Sequence, residues 1–301
     1  MSAITPYRIF DLILLRKQLL SPGMARLTFG GEQIIHMATY APDQRIKMFF
    51  PTKDGRAPQI PHRGDWYDLY RELPLAERAP MRTYTIRHLR ADICEVDVDF
   101  VLHGDNGPAS RWAGHCQPGD RLQMSAPNRD STGEQTGYEW SPPVDAEKIL
   151  LIADHTALPA AIGIIDELAA LATPPQTQAF FEIPTADDRL ELPSWNGLEV
   201  NWMARENAGA TYGALMVQAT ASADIPDTAL ASTAAIGLPD VENDTDKMWD
   251  RADTQDGRFY GWVAGESDAV RRIRTHLVKE RGIDRKSLNL MGYWKEGRER
   301  D

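Results

Sequence analysis

Two short runs stand out for what they could bind. Arg82-Thr83-Tyr84-Thr85 lies in the segment MRTYTIRH, and Gly107-Pro108-Ala109-Ser110 closes VDFVLHGDNGPASRWA. The first alternates charged or aromatic with hydroxyl side chains, so a strand would present one pair on each face. The second puts small residues at the start of a short helix, SRWAGHC, whose free N–H groups attract phosphate. Arginine can hold a pyrophosphate, tyrosine can stack on or bond to a planar ring, and threonine can bond the ring edge. A flavin needs this set: positive potential for its pyrophosphate, a flat face for its ring, and hydrogen bonds at its rim. Each run alone is unremarkable, an exposed strand and a helix start with Ser110 as a plain cap. In this order and in a β-rich context, Arg82, Thr83, Tyr84, Thr85, Gly107, Pro108, Ala109 and Ser110 form a candidate cofactor site.

A second constellation opens the later half of the chain. LLIADHTALPA reads as an apolar strand feeding a turn and a helix, which places Thr156 and Ala157 at the carboxyl edge of a sheet. Gly265-Glu266, after RFYGWVA, marks another strand end of the same kind. There is no GxGxxG, so the usual dinucleotide fingerprint is absent.

Positioning these residues takes two kinds of element. Residues 1–138 carry short alternating or aromatic runs separated by Gly and Pro, which predicts an antiparallel β-barrel. Val96, Val98, Phe100 and Leu102 alternate onto one side of such a strand, and Ile9 to Leu15, broken by Asp11, reads as the first strand. Residues 134–147 are polar and proline-bearing and read as a linker. From 145 to 301, apolar strands alternate with helices, which predicts a doubly wound parallel sheet. Residues 238–257 are acidic and aperiodic and read as an exposed loop insertion.

Composition narrows the functions. A length of 301 residues suits two domains, each with its own core. The net charge of −11 argues against nucleic acid as a general partner. The two cysteines, Cys94 and Cys116, cannot by themselves hold an iron–sulfur cluster or a cysteine zinc site, and read as buried small apolar groups. No targeting or membrane-spanning segment is recognisable, so the cytoplasm is the expected location.

The segments KMFFP, MRTYTIR, VDFVLHGDNGPASRWA, the PGD turn, ADHTALPA, WVAGESDAVRRIRTHL and GYWKEG span roughly Lys47 to Gly297. On these the chain resembles the siderophore-interacting protein family, flavin-dependent ferric-siderophore reductases of the ferredoxin-reductase-like superfamily. One departure is His155, where the resemblance leads us to expect an acidic residue. The resemblance implies FAD between two domains. Arg82, Tyr84 and Thr85 would face the pyrophosphate and ring, and Gly107, Ala109 and Ser110 would cradle the pyrophosphate. Val101 and His103 would line the ribityl and adenine side. Thr156 would lie near the nicotinamide of NADPH or NADH, and Tyr293 and Trp294 near the flavin ring.

The resemblance also implies an anionic ferric siderophore as substrate, met by Lys47, by Arg129 and by a cation from the helix bearing Arg271, Arg272 and Arg274. NAD(P)H would reduce the flavin, and the flavin would pass single electrons to Fe(III). The hard oxygen ligands of a siderophore hold the divalent ion far less tightly, so reduction releases it. Arg205, after a sheet strand, could touch a ribose phosphate. Ferredoxin remains an alternative donor, and a monomer is the expected state. Three rival readings stay open: another flavin reductase of this fold, a siderophore-binding protein without turnover, and, last, a structural flavoprotein.

Overall fold

The computed structural model describes residues 5–104, 107–231, 248–253 and 257–297. The chain forms two compact units, the first reaching Tyr138 and the second beginning at Glu139. Of the expected acidic insertion, residues 238–247 and 254–256 lie outside the described residues.

The first unit is an antiparallel half-barrel. Its strands are β1 (Tyr7–Ser21), β2 (Met24–Gly30), β3 (Arg45–Phe49), β4 (Met81–Thr85), β5 (His88–Arg90), β6 (Glu95–Val101) and β7 (Arg121–Pro127). They lie in the order β4-β3-β7-β1-β2-β6-β5. Two helices complete the unit, α1 (Trp66–Glu72) and α2 (Pro108–His115). Val96, Val98 and Phe100 are fully buried in the core with Phe10, Leu12, Phe29, Ile46 and Met48, and Leu102 packs against them. The alternation of β6 therefore sets its inward face.

The opposite face of β6 is also covered, by charge. Asp97 and Asp99 are only 4% and 3% exposed. They sit directly across from Thr28 and Arg26 on β2. Arg26 donates two hydrogen bonds to Asp99, at 2.7 and 2.8 Å. Arg90 donates two to Asp97, both at 2.7 Å, and the Thr28 hydroxyl donates a third at 2.7 Å. Buried carboxylates persist there because cross-strand partners satisfy them.

The second unit is built on a six-stranded sheet. Its strands are β8 (Lys148–Asp154), β9 (Gln176–Ile183), β10 (Leu198–Ala204), β11 (Trp249–Asp250), β12 (Phe259–Glu266) and β13 (Leu288–Trp294), in the order β10-β9-β8-β12-β13-β11. All neighbours are parallel except β11, which runs antiparallel to β13. The helices are α3 (Leu158–Ala169), α4 (Arg205–Ala208), α5 (Ala214–Ser222) and α6 (Ser267–Arg274). Met216 and Ala219 of α5 and Val270 and Ile273 of α6 share one core with Leu150, Ile152, Val263 and Leu290. Right-handed crossovers put α3 on the other face, because β8 to β9 steps away from β12 while β12 to β13 steps the opposite way. The order reverses between β8 and β12, and their carboxyl ends open the crevice where such folds take ligands.

Part of the stretch read as a linker is packed into this unit. Glu139 and Trp140 are 7% and 3% exposed. The Trp140 ring meets Tyr260 edge-on at 5.5 Å, and its indole N–H donates to Glu167 at 2.7 Å. The prolines and charges around them hid two anchors. Among the described residues no helix is long and apolar enough to cross a membrane.

The Asp97 cluster carries a pH prediction. Burial alone would raise its carboxyl pKa, but hydrogen bonds from Arg90, His88 and Thr28 outweigh it and hold the carboxyl far below its usual range. A depressed folded pKa contributes stability above the unfolded value, about 3.9, and loses it as pH falls towards the folded one. Asp97→Asn should cost roughly 3 kcal/mol at neutral pH. In urea melts the gap to the parent protein should narrow steadily below about pH 4.

Candidate functional site

An aromatic cluster joins the two runs. The Tyr84 ring on β4 lies 4.2 Å from Phe100 and 6.1 Å from Phe50. Trp112 of α2 lies 5.8 Å from Phe50 and stacks on Phe29 at 6.2 Å and 17°. Tyr84 and Arg82 sit across from Ile46 and Met48, both buried in the same core, so they share the inward face of β4. Burial raises the Tyr84 phenol well above its ordinary pKa, with Arg82 opposing, so the hydroxyl stays protonated and can donate.

Thr83 faces the other way. It pairs with Lys47 across β3, and the Lys47 ammonium donates to its hydroxyl at 2.6 Å. Lys47 also sits across from Ser125 on β7, and Arg129 follows that strand, exposed, donating to the Ile35 carbonyl at 3.3 Å. Lys47 and Thr83 are thus on the opposite face of the sheet from Arg82 and Tyr84. Thr85 is buried, 7% exposed, at the end of β4.

The second run is shaped by Ser110. Its hydroxyl accepts from the His103 N–H at 2.7 Å and donates to the Gly104 carbonyl at 2.8 Å. It staples the incoming chain to α2, while Gly107 takes the N-cap position with φ 92 and no side-chain cap. A Cβ built on Gly107 would meet nothing within 4 Å, so the backbone there faces open space. Ala109 is buried in the core. Val101 ends β6 half-buried, and His103 is exposed.

Arg82, Gly107 and Pro108 open onto one cleft of about 920 Å³ in the first unit. Lys53, Arg78 and Arg111 line it too, with the carboxylate of Asp120. A phosphate-bearing dinucleotide fits this set: excess positive charge, an open glycine backbone and adjoining aromatic surface. Sequence reasoning missed Lys53, Arg78 and Arg111. For Arg111 a signal existed, since Pro108, Arg111, Trp112 and His115 share one helical face. Nothing comparable marked Lys53.

In the second unit, Asp154 closes β8 at 2% exposure. One oxygen accepts from the Thr156 N–H at 2.8 Å, the Thr156 hydroxyl at 2.6 Å and the Ala157 N–H at 3.3 Å. The other accepts from the Trp294 indole at 2.7 Å. Burial raises its pKa despite these bonds. Gly265 is needed beside it, because a Cβ would fall 2.7 Å from that second oxygen. Trp294 meets Tyr212 edge-on at 5.0 Å, and Arg205 lies over Tyr212 at 4.3 Å. Arg205 also pairs at 3.3 Å with Glu182, which is fully buried and accepts from the N–H groups of Gly213, Leu215 and Met216. Ala157 is fully buried, and His155, the departure, is buried at 3%.

The remaining predicted residues are dispersed. Tyr293 stacks on Trp249 at 6.1 Å and 15°. Arg271 pairs with Asp268 at 2.7 Å, and Arg274, 14% exposed, clamps Asp250 at 2.6 Å. Arg272 lines a small pocket beside Glu266, Asp268 and Glu296. The three α6 arginines thus stand in three different surroundings. Glu266 caps α6, accepting from the Asp268 and Ala269 N–H groups.

Residues 13–131 match the siderophore-interacting FAD-binding domain, and residues 146–297 match the siderophore-interacting protein family. Ferric vibriobactin reductase ViuB of Vibrio cholerae is 26% identical, over 97% of this chain and 90% of its own. The NADPH-dependent ferric-chelate reductase of Escherichia coli (strain K12) is 29% identical, over 66% and 72%. The crystal structure of a siderophore utilization protein from T. fusca superposes with a TM-score of 0.74 at 29% identity, covering 98% of this chain and 96% of that one. With its half-barrel and doubly wound sheet each carrying a matching domain, the chain belongs to the siderophore-interacting protein family.

Proposed function

We propose that the protein is an FAD-dependent ferric-siderophore reductase that draws its electrons from NADPH or NADH. The observation that carries this reading is the basic cleft onto which Arg82, Gly107 and Pro108 open together in the unit matching an FAD-binding domain. The relatives named as ferric vibriobactin and ferric-chelate reductases support the same reaction class. FAD, when bound, links a two-electron donor to a one-electron metal acceptor. The first domain, 1–138, holds it, and 145–301 receives the nicotinamide nucleotide.

The chain's own residues then act by position and charge. Arg82 neutralises phosphate, and the protonated Tyr84 offers a ring face and a donor hydroxyl. Lys47 and Arg129 provide the cations for an anionic ferric chelate, on the face of the sheet opposite Arg82. Thr156, fixed by Asp154, and Trp294 stand at the carboxyl edge that receives the nucleotide. No side chain has to move a proton to or from iron, so electrostatic positioning carries the rate. We take the protein to be a cytoplasmic monomer.

Two measurements test this reading, and a third tests the hydrogen bonding at the edge of the second sheet. In an anaerobic titration of the flavin-loaded protein, NADPH or NADH should bleach the flavin band. A ferric siderophore with a ferrous trap should then restore the band and yield trapped Fe(II). Bleaching without reoxidation would leave a flavin reductase of another acceptor, and bleaching by neither nucleotide would point to ferredoxin as donor. Lys47→Ala and Arg129→Ala should each raise KM for the ferric chelate about tenfold while leaving flavin reduction unchanged, the loss expected for one charged hydrogen bond. Trp294→Phe removes a donor from buried Asp154 and should lower stability by about 1–3 kcal/mol in thermal melts.

A further inference from the structure

After β2 the chain crosses to the end of β7 through a short 3-10 helix, Glu32–His36. Ile34 and Met37 seat this strap, both fully buried in the core of the first unit. Its entry is tight, since a Cβ on Gly31 would fall 2.6 Å from the Asp11 carbonyl oxygen. Arg8 of β1 donates to the Gln33 side chain at 3.3 Å. The strap then bonds to the residues around the end of β7. The Ala38 N–H donates to the Pro127 carbonyl at 3.0 Å, and the Arg129 N–H donates to the His36 carbonyl at 2.8 Å. From the other side, Asn128 donates its N–H to the Pro6 carbonyl at 2.8 Å and its side-chain amide to the Thr5 carbonyl at 3.1 Å. The backbone at Arg129 is thus held from two directions, while its side chain is exposed.

We propose that His36 is a positioning residue for the anionic ferric chelate, and that it acts by keeping the Asp130 carboxylate away from Arg129. The inference rests on the reading of Arg129 as a substrate cation given above, and adds the residue that keeps this cation available. An arginine followed directly by an aspartate carries its own competitor, because a guanidinium pairs strongly with a carboxylate. Here the two are separated. The Arg129 guanidinium donates to the neutral carbonyl of Ile35 at 3.3 Å. Asp130 is taken by His36 instead, whose ring Nδ1 lies 2.8 Å from one carboxylate oxygen. The ring can donate an N–H there whether it is neutral or charged. Both side chains are nearly half exposed, 46% for His36 and 43% for Asp130, so the pair contributes little to stability. Its consequence is where the negative charge lies. One residue grips both neighbours: its carbonyl fixes the Arg129 backbone, and its ring holds the Asp130 carboxylate.

The test is steady-state reduction of ferric tris(catecholate), a trianionic chelate, by the flavin-loaded full-length protein with NADPH or NADH and a ferrous trap. His36→Ala releases the carboxylate but keeps the backbone bonds of the strap. It should raise KM about two- to fivefold, the range expected when an exposed ion pair must be broken, with kcat and flavin reduction unchanged. His36→Ala/Asp130→Asn should return KM to the parent value, because the competing charge is gone. In an Arg129→Ala background, His36→Ala should have no further effect on KM. An unchanged KM in His36→Ala overturns the proposal. So does a raised KM that Asp130→Asn fails to restore, the result of a merely structural role. If the parent does not reduce the chelate, or Arg129→Ala leaves KM unchanged, the reading of Arg129 as a substrate cation falls and takes this inference with it. A sensitive Arg129→Ala beside an indifferent His36→Ala sinks this inference alone.

Discussion

The packing of Tyr84 against Phe100 is the contact on which the first unit's chemistry depends. It joins a strand from one part of the chain to the strand that delivers α2, and Phe50 and Trp112 extend it to the helix itself. Aromatic contacts of this kind each contribute about 0.5–1.5 kcal/mol beyond the area they bury. Their larger consequence is geometric. With Tyr84 turned inward, period-2 alternation turns Arg82 inward as well and sends Thr83 outward to Lys47. One buried ring thus sorts Arg82 and Lys47 onto opposite faces of the same pair of strands.

The charge distribution follows a similar economy of placement. A chain of net charge −11 would oppose anionic ligands if its carboxylates lay near their sites. Many are instead committed to structure. Asp97 and Asp99 are tied to arginines across the half-barrel, Glu182 and Glu266 hold the starts of α5 and α6, and Asp154 collects four donors at the end of β8. The arginines show the same division. Arg26, Arg90 and Arg274 are bound to buried carboxylates, while Arg82 opens onto the cleft. A run such as Arg271, Arg272 and Arg274 looks like one feature in sequence, yet the helix turns its members to different partners.

Much of the architecture was legible because it obeys short-range rules. The alternation of β6, the apolar run of β8 and the strand–helix rhythm after it are visible in the residues alone, and crossover handedness then assigns the helices to the two faces of the second sheet. The two runs that open the cleft were legible too, because small residues before a helix and a cation near an aromatic ring narrow the chemistry. What stayed hidden depends on contacts distant in sequence. Residues 50–80 have no period, and their place is set by Phe49 and Gln123. Asp97 looks like a solvent-facing residue until Arg90 and Thr28 arrive from neighbouring strands. Trp140 looks like part of a polar linker until Tyr260 is brought beside it by the second sheet.

Ser110 and Asp154 show why motif residues need not be ligand contacts. Ser110 lies inside the run most suggestive of phosphate binding, yet its hydroxyl is occupied twice by the chain it folds back upon. Its work is to hold the loop so that Gly107 opens onto the cleft. Asp154 likewise spends both oxygens on Thr156, Ala157 and Trp294, and Gly265 lacks a side chain because Asp154 stands where one would go. From Trp294 the contacts run on through Tyr212 and Arg205 to Glu182, the cross-strand neighbour of Asp154, and close a ring around the edge of the sheet. Each unit therefore has residues that shape the site and others that face the ligand. A motif marks the two together, and only their hydrogen bonds separate the roles.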